Sequence, residues 1–255
     1  MSRILVHLAL VLLLCSPAAF AQSWLDKAKT HFERDEYDNV IELAREHKKD
    51  KRSRFGLMLL TFSHLQKYAY NDTKTDKRKY KDYLDMLEDS VTARDLDDIH
   101  YFINQSDKPE VVKTARKLLK RAFKNINSLE EIPRLLPFLD SEDKKTRKLA
   151  LDTLHRLIKT KRKYVNKGGT LRDQDIRALQ DEKLIRKLLD VASDSKARSI
   201  LVLIEQPVLN YIGDYDDAAI VKLETKINKA IAKREKKHPD STWYSATGKK
   251  KDFAI

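Results

Sequence analysis

The sequence predicts an all-α fold, a right-handed α-solenoid in which antiparallel helix pairs stack side by side. Three observations support this prediction. The chain of 255 residues holds only 5 Gly and 6 Pro, and 36% of its residues are charged, which is typical of long helices joined by few turns. Apolar residues recur at intervals of three and four along most of the chain. We find no convincing alternation of apolar and polar residues of the kind that indicates a strand.

The chain begins with the pattern of a secretory signal peptide. Arg3 precedes a short apolar run (4–14), and small residues stand at Ala19 and Ala21, the two positions that a signal peptidase reads. The run is too short to cross a bilayer, because a transmembrane helix needs about 20 apolar residues. We therefore expect cleavage after Ala21, so that the mature protein begins at Gln22.

Two other interpretations of this segment are an uncleaved membrane anchor and lipid attachment at Cys15, the only cysteine of the chain. Bacterial lipoproteins resemble one another in carrying a small residue directly before the modified cysteine, and here that residue is Leu14. Pro17 is expected to break the helix after the apolar run. Cleavage is therefore favoured over both alternatives.

Cleavage defines the composition of the mature chain. It removes one arginine and no acid, so the formal net charge falls from +13 to +12, and it leaves no cysteine. A chain without disulfides has to be stabilised by its core. This composition indicates the bacterial periplasm, with secretion as the alternative, and glycosylation sequons at Asn71 and Asn104 keep a eukaryotic secreted protein open.

Residues 22–105 are predicted to form a first helical region that opens with a helix pair. Small and aromatic residues on two helices flank a turn at Asp35-Glu36-Tyr37, and these residues are Ala28 and Phe32 on the first helix and Val40, Ile41 and Ala44 on the second. The pattern resembles a tetratricopeptide unit, although two unrelated antiparallel helices with a tight turn would show it as well. The apolar segment 55–65 is expected to be a central, covered helix.

Residues 106–238 are predicted to form helical repeats. Segments 106–119 and 141–154 superimpose without gaps, so that Ala115 falls on Ala150. Residues 132–158 show an apolar helix, an acidic turn and a second helix, with the marker residues Pro137, Asp140, Asp143, Arg147 and Ala150. This segment resembles a HEAT repeat, and the resemblance implies stacked helix pairs and a partner-binding role.

Three further features complete this organisation. The segment 200–212 is apolar on most faces and predicts a second central helix. A long loop or joint is expected at 160–175, where the only Gly-Gly pair occurs. Residues 239–255 lack periodicity and predict a mobile tail.

The mature sequence contains few motifs for catalysis or for binding a cofactor or a metal. It has no nucleophilic cysteine, no phosphate-binding glycine loop and no pair of histidines at metal-ligand spacing. We therefore expect no cofactor and no metal site. The acids around Asp95 and Asp214 are interpreted as first-turn helix residues rather than calcium ligands. Glu205 is the only acid that we would nominate as a general acid.

The strongest functional hint is positive charge. Basic residues on two adjacent helices are predicted to join in one positive surface that favours polyanions, namely Lys113, Arg116, Lys117, Lys120, Arg121, Lys124, Lys144, Lys145, Lys148, Arg156 and Lys159. The competing interpretation is that these residues are the solvated outer faces of helices.

Three functions remain open from sequence. The first is a non-catalytic scaffold that binds another envelope protein or peptide. The second is a polyanion-binding envelope protein, whose ligand is lipopolysaccharide, anionic lipid head groups or extracellular nucleic acid. The third is a cell-wall-active enzyme built on a helical solenoid. The missing motifs and the resemblance to partner-binding repeats favour the scaffold, and no membrane-spanning segment is expected in the mature chain.

Overall fold

The computed structural model describes residues 17–47, 53–215 and 218–237. These residues form helices joined by turns, and no strand occurs among them, which confirms the all-α prediction. The chain divides into two compact units, Met1–Ala122 (unit 1) and Phe123–Ile255 (unit 2). The first part of the predicted signal peptide (1–16) and the predicted tail (239–255) lie outside the described residues.

Unit 1 is built around one central helix. Its α-helices are α1 (Pro17–Glu33), α2 (Tyr37–Glu46), α3 (Arg54–Asn71), α4 (Lys74–Ser90), α5 (Leu96–Gln105) and α6 (Pro109–Asn125), which continues into unit 2. A 3₁₀ turn, Ala93–Asp95, leads into α5. Helix α3 packs against α1, α2 and α4, so it is the covered element of this unit.

The burial of α3 confirms the prediction made for segment 55–65. Its middle turns are buried on nearly every face, from Met58 to Gln66. Helix α1 approaches α3 closely at Gly56, where an added Cβ would lie 2.9 Å from the ring of Trp24. A side chain at this position would therefore force the two helices apart.

The predicted helix pair at the start of unit 1 is also confirmed. Helices α1 and α2 pack together across a turn of three residues, and the five residues on these helices that predicted the pair are buried. Asp35 in this turn has a φ of 61°, a conformation that aspartate tolerates better than most residues. The finer assignment to the tetratricopeptide family stays a prediction.

Helix α1 contains the predicted cleavage residues Ala19, Ala21 and Gln22. Pro17 stands at the first position of the helix, where its missing N–H costs no helical hydrogen bond. The proline therefore begins a helix here, and cleavage after Ala21 stays a prediction. No helix in the described part of the chain combines the length and the hydropathy needed to cross a bilayer.

A buried polar pair joins α3 to α4. His64 is 3% exposed, and its Nδ1 lies 2.7 Å from Oδ1 of Asp76. The other carboxylate oxygen of Asp76, Oδ2, accepts a hydrogen bond from the hydroxyl of Thr73. Burial lowers the pKa of His64, although Asp76 opposes that change. Burial alone would raise the pKa of Asp76, but the hydrogen bonds from Thr73 and His64 outweigh it and hold that pKa below its ordinary value.

Because of the His64–Asp76 pair, unit 1 is expected to lose stability as the pH falls. Because the pKa of His64 is lower in the folded state than its ordinary 6.5, the unfolded chain takes up a proton first as the pH falls below 6.5. We expect the free energy of unfolding of the wild type to fall over this range, so the stability cost of His64→Gln should shrink between pH 7.5 and pH 5. Urea unfolding at several pH values measures this difference, and a cost that stays constant or grows as the pH falls would contradict the prediction.

In unit 2 a 3₁₀ segment, Leu129–Leu135, precedes the helices. These are α7 (Leu136–Leu139), α8 (Lys144–Val165), α9 (Asp173–Leu179), α10 (Glu182–Asp190), α11 (Ser195–Ile204), α12 (Gln206–Ile212) and α13 (Ala218–Lys237). Helix α7 packs on α8, and α10 packs on α11. The first helices of these two pairs contact each other, as do the second helices. Two successive helix pairs therefore pack element against element, which is compatible with a helical repeat.

Two predictions for unit 2 are corrected by the structure. The segment 200–212 is two helices rather than one, because the chain breaks at Glu205 and α12 begins with Pro207 in its first turn. A proline cannot donate to the carbonyl four residues earlier, which disfavours a continuous helix. The predicted loop at 160–175 is confined to residues 166–172, since α8 continues through Val165 and α9 begins at Asp173.

Candidate interaction surface

The two helix pairs of unit 2 share one type of turn. Asp143 precedes α8 and accepts hydrogen bonds from the backbone N–H groups of Lys145 and Thr146, both at 3.3 Å. Arg147, one turn into the helix, donates to the carbonyl oxygen of Ser141 at 3.0 Å. The aspartate satisfies the free N–H groups of the helix start, and the arginine fixes the preceding turn.

The second copy of this turn precedes α11. Asp194 accepts from the N–H of Lys196 at 2.6 Å, and Arg198 donates to the carbonyl oxygens of Ala192 and Ser193 at 2.5 and 2.8 Å. Sequence reasoning identified the first copy and missed the second. The signal was the spacing Asp-x-x-x-Arg. The second copy lies 51 residues after the first, because the end of α8 and the short α9 lie between the two pairs, whereas the matching segments 106–119 and 141–154 are only 35 residues apart.

An open groove of about 610 Å³ lies between the start of α8 and the turn before α11. The groove is lined by positively charged, negatively charged and neutral polar side chains and by one apolar side chain. The lining residues are Lys144, Arg147, Lys148, Asp190, Val191, Ser193 and Asp194. The two copies of the turn therefore form the walls of the groove.

In the described part of the chain, neither acid of the groove forms an ion pair with its two lysines. Asp194 is held as the cap of α11, and Asp190 accepts a hydrogen bond from the hydroxyl of Tyr215 at 3.0 Å. Lys144 and Lys148 are exposed, and neither forms an ion pair within the described residues. These two ammonium groups are therefore available to an incoming ligand.

A row of polar side chains continues from the groove along the exposed side of α8. The row, which we call the α8–α11 face, consists of Lys144, Lys148, Asp152, His155 and Lys159 on α8 and of Lys196 and Ser199 on α11. Steps of four, four, three and four residues place the α8 members on one side of the helix. Lys196 pairs with Asp152 at 3.2 Å, and the hydroxyl of Ser199 lies 3.4 Å from Nε2 of His155.

His155 is the titratable group of this face. Burial lowers its pKa, the positive charges of Lys196 and Lys159 lower it further, and Asp152 opposes them. The imidazole therefore lies in a positive environment, because the only acid among these three neighbours is already paired with Lys196. A negative group placed here would be stabilised by Lys159 and Lys196.

The eleven residues of the predicted positive surface belong to both units. Lys113, Arg116, Lys117, Lys120 and Arg121 lie in unit 1, and the other six lie in unit 2. All eleven are exposed except Arg116, which is half-buried.

Some members of the predicted surface have structural roles. Arg121 donates to the carbonyl oxygen of Glu88 at 3.3 Å. Arg156 donates to those of Phe123 and Ile126 at 3.1 and 2.6 Å. Lys113 lies 3.9 Å from the carboxylate of Glu110. The two arginines therefore stabilise the fold through backbone carbonyls and are only partly available to a ligand. Sequence reasoning missed His155, Lys196 and Ser199, which belong to the α8–α11 face.

Glu205, the acid nominated for catalysis, is fully buried. Its two carboxylate oxygens bind the guanidinium groups of Arg162 and Arg234, the second at 2.8 Å. Arg162 also donates to the carbonyl oxygen of Leu203 at 2.7 Å, the acceptor that the imino nitrogen of Pro207 cannot serve. A carboxylate held by two cations away from solvent stabilises the fold, and this geometry does not suit proton donation to a substrate.

The acidic cluster before α5 has a structural role as well. Asp95 accepts hydrogen bonds from the backbone N–H of Thr92 at 2.7 Å and from Arg54 at 2.5 Å, and the bond with Thr92 is half of a capping box that the Thr92 side chain completes. Across the described residues, no group of three or more histidine, cysteine or acidic side chains is placed to hold a metal ion. Asp95 is thus engaged at a helix start, in agreement with the interpretation of these acids as first-turn residues.

Comparison of the chain with known protein families, with curated proteins and with solved structures finds no match. Function is therefore inferred from the groove and from the α8–α11 face.

Proposed function

We propose that the protein is an exported, non-catalytic helical-repeat scaffold that binds another protein or a peptide in the bacterial periplasm or cell envelope. The observation that carries the proposal is the open groove between the two turns of unit 2. Its walls offer charges of both signs and an apolar side chain, Val191, which suits a polypeptide segment better than a small uncharged ligand.

The packing of unit 2 supports the repeat architecture in this proposal. Two helix pairs carry the same capped turn, and their equivalent helices contact each other. In HEAT-like solenoids each pair buries its apolar face only against its neighbours, and the turns and helix faces then form extended binding surfaces. We extend this arrangement to a right-handed solenoid as part of the proposal.

A second candidate function is the binding of polyanions. The observation in its favour is a set of exposed lysines that form no ion pair within the described residues, namely Lys117 and Lys120 in unit 1 and Lys145 and Lys159 in unit 2. A polyanion held by such side chains would dissociate steeply with added salt, since screening acts most strongly on exposed charges.

Crosslinking followed by mass spectrometry in the native envelope tests the scaffold. The double variant Lys144→Glu/Lys148→Glu reverses the two available charges of the groove. We expect a partner protein crosslinked to unit 2 in the wild type and a loss of about tenfold in its recovery from the variant. The matched control is Lys226→Glu/Lys229→Glu, which reverses two exposed charges on α13 of the same unit, and its recovery should stay within twofold of the wild type.

Two outcomes would contradict the scaffold. Equal recovery from the groove variant and the control would show that the partner does not use the groove. If no protein partner is recovered, and the chain instead binds heparin in a manner that all lysine reversals weaken equally and salt abolishes, the polyanion function is supported in its place.

A further inference from the structure

The spacing of the free cations on the α8–α11 face defines the kind of segment that it accepts. Lys144 and Lys148 form one end of the row and Lys159 forms the other, while Lys196 reaches the middle from α11 and pairs with Asp152. Lys148 and Lys159 are eleven residues apart on one helix, which corresponds to about 16 Å at a rise of 1.5 Å per residue. An extended peptide covers that distance in about five residues.

The far end of the row is built to receive a negative group. Three potential donors lie around His155, since the charges of Lys159 and Lys196 both act on the imidazole and the hydroxyl of Ser199 lies 3.4 Å from it. Lys196 is engaged with Asp152 at 3.2 Å, so the two helices already hold it at the surface of the face. The near end offers Lys144 and Lys148, which form no ion pair within the described residues, and the acids Asp190 and Asp194 lie across the groove from them.

We propose that the α8–α11 face binds an acidic segment of the partner protein in extended conformation, with one carboxylate at Lys144 and Lys148 and a second carboxylate about five residues away, between Lys159 and Lys196. This inference rests on the proposed scaffold function and names the chemistry of its partner. The carboxylate at the far end contacts His155 and Ser199 as well.

The acids within the face favour such a peptide over a uniform polyanion. Asp152 lies at the middle of the row, and Asp190 and Asp194 line the groove. A polymer that carries a charge on every unit would place negative groups against these carboxylates. A peptide avoids that repulsion, because neutral or basic residues between its two acids face Asp152.

The position of His155 makes the binding pH-dependent. In the free protein the pKa of His155 is lowered by burial and by Lys196 and Lys159, while Asp152 opposes them. A bound carboxylate raises that pKa, so binding takes up a proton. The affinity therefore increases as the pH falls from 7.5 to 5.5, a range in which the acidic side chains of the peptide stay ionised.

Fluorescence anisotropy with synthetic peptides and the full chain tests the inference. The probe is fluorescein-labelled Asp-Glu-Ser-Gly-Ser-Asp-Glu, in which the two acidic pairs are five residues apart. A second peptide of equal charge, Asp-Glu-Asp-Glu-Ser-Gly-Ser, groups all four acids at one end. We expect the spaced peptide to bind several-fold more tightly than the grouped one at low salt, and we expect Lys148→Glu/Lys159→Glu to weaken its binding about tenfold.

His155→Gln tests the pH dependence of the affinity, which a general loss of positive charge would not abolish. The wild type should bind the spaced peptide at least threefold more tightly at pH 5.5 than at pH 7.5, and the variant should show no such change. The control Lys226→Glu/Lys229→Glu should keep both the affinity and the pH response of the wild type.

Several results would overturn the inference. These are no binding of the spaced peptide in 20 mM salt, equal binding of both peptides, and equal losses in the face variant and the α13 control. Stronger binding of heparin than of the spaced peptide, undiminished by Lys148→Glu/Lys159→Glu, would also overturn it. If the peptides fail while envelope crosslinking to the groove is still lost in Lys144→Glu/Lys148→Glu, the scaffold function stands and only the acidic nature of the partner is wrong.

Discussion

Replacing Glu205 by glutamine is expected to lower the free energy of unfolding by about 3–5 kcal/mol, because the change removes the carboxylate charge from between two buried guanidinium groups. Glu205 is 0% exposed and Arg234 is 6% exposed. The carboxylate joins three separate elements, since Arg162 lies near the end of α8, Glu205 between α11 and α12, and Arg234 near the end of α13.

The cost arises from the desolvation of the two arginines. Both guanidinium groups are largely out of water, and one carboxylate neutralises part of their charge at hydrogen-bonding distance. Glutamine keeps the volume of the side chain but supplies no charge, and its amide nitrogen would face a donor. Replacing Arg234 by methionine in the glutamine variant should therefore recover part of the loss, because it removes one of the two buried charges that Glu205 neutralises in the wild type.

The backbone at Glu205 adds a second, separable contribution. Its φ of 65° and ψ of −118° lie in a region that favours glycine. A non-glycine residue held there stores about 1–3 kcal/mol of strain. Glu205→Gly and Glu205→Ala both remove the ion pairs, but only glycine relieves the strain. We therefore expect the glycine variant to be the more stable of the two by about 1 kcal/mol.

Hydrogen exchange followed by mass spectrometry measures this prediction locally. The opening free energy of α11, α12 and α13 should fall in Glu205→Gln. The matched control is Glu224→Gln, an exposed acid on α13 that forms no ion pair within the described residues, and it should change stability by less than about 0.5 kcal/mol. A loss in Glu205→Gln no larger than in the control would show that the buried cluster contributes nothing to stability.

The fold class follows from sequence because local patterns decide it. Three-and-four periodicity and the scarcity of glycine predict helices, and the apolar residues of segment 55–65 predict the burial of α3, which the structure confirms. The helix pair at Ala28 and Val40 was predicted for the same reason, since its contacts join residues close in sequence. Patterns of this kind need no knowledge of distant partners.

The surroundings of Glu205 were not predictable in this way. Its partners Arg162 and Arg234 are 43 and 29 residues distant, and each is one of many basic residues. In sequence Glu205 is a lone acid in an apolar segment, which invites a catalytic interpretation. The segment also reads as one helix, and only the proline at 207 indicated that it breaks.

The candidate surface was predicted in part. Lys144, Lys148 and Lys159 were identified because they share one face of a helix that periodicity predicts. Lys196 and Ser199 were missed, because their inclusion depends on how far α11 is displaced along α8. That register places Lys196 at Asp152 and Ser199 at His155, and it is set by packing between helices that sequence spacing alone does not define.

Phe102→Ala is expected to destabilise unit 1 by about 3–5 kcal/mol, since it leaves a cavity at the centre of an aromatic cluster. Phe102 on α5 is 0% exposed. Four rings surround it, at centroid distances of 4.5 Å for Phe62, 5.0 Å for Tyr101, 5.4 Å for Phe32 and 5.7 Å for Phe55.

The cluster matters because it connects three helices of unit 1. Phe32 belongs to α1, and Phe55 and Phe62 belong to α3. Phe102 on α5 contacts the rings of all three, so it joins α5 to both helices. The rings of Phe32 and Phe102 meet edge to face at 89°, an arrangement that adds about 0.5–1.5 kcal/mol beyond the burial of area. Alanine loses these ring contacts together with the buried apolar surface, and the neighbouring rings can collapse only partly into the space.

Urea unfolding followed by circular dichroism, together with hydrogen exchange of α1, α3 and α5, measures the effect. Phe102→Leu retains much of the volume but no ring, so its loss should lie between those of the wild type and the alanine variant. Met86→Ala on α4 is the matched control, because that side chain is 57% exposed and its removal leaves no cavity. If Phe102→Ala cost no more than this control, α5 would not be held by the aromatic cluster, and the charged contacts around Asp95 and Arg54 would have to anchor it instead.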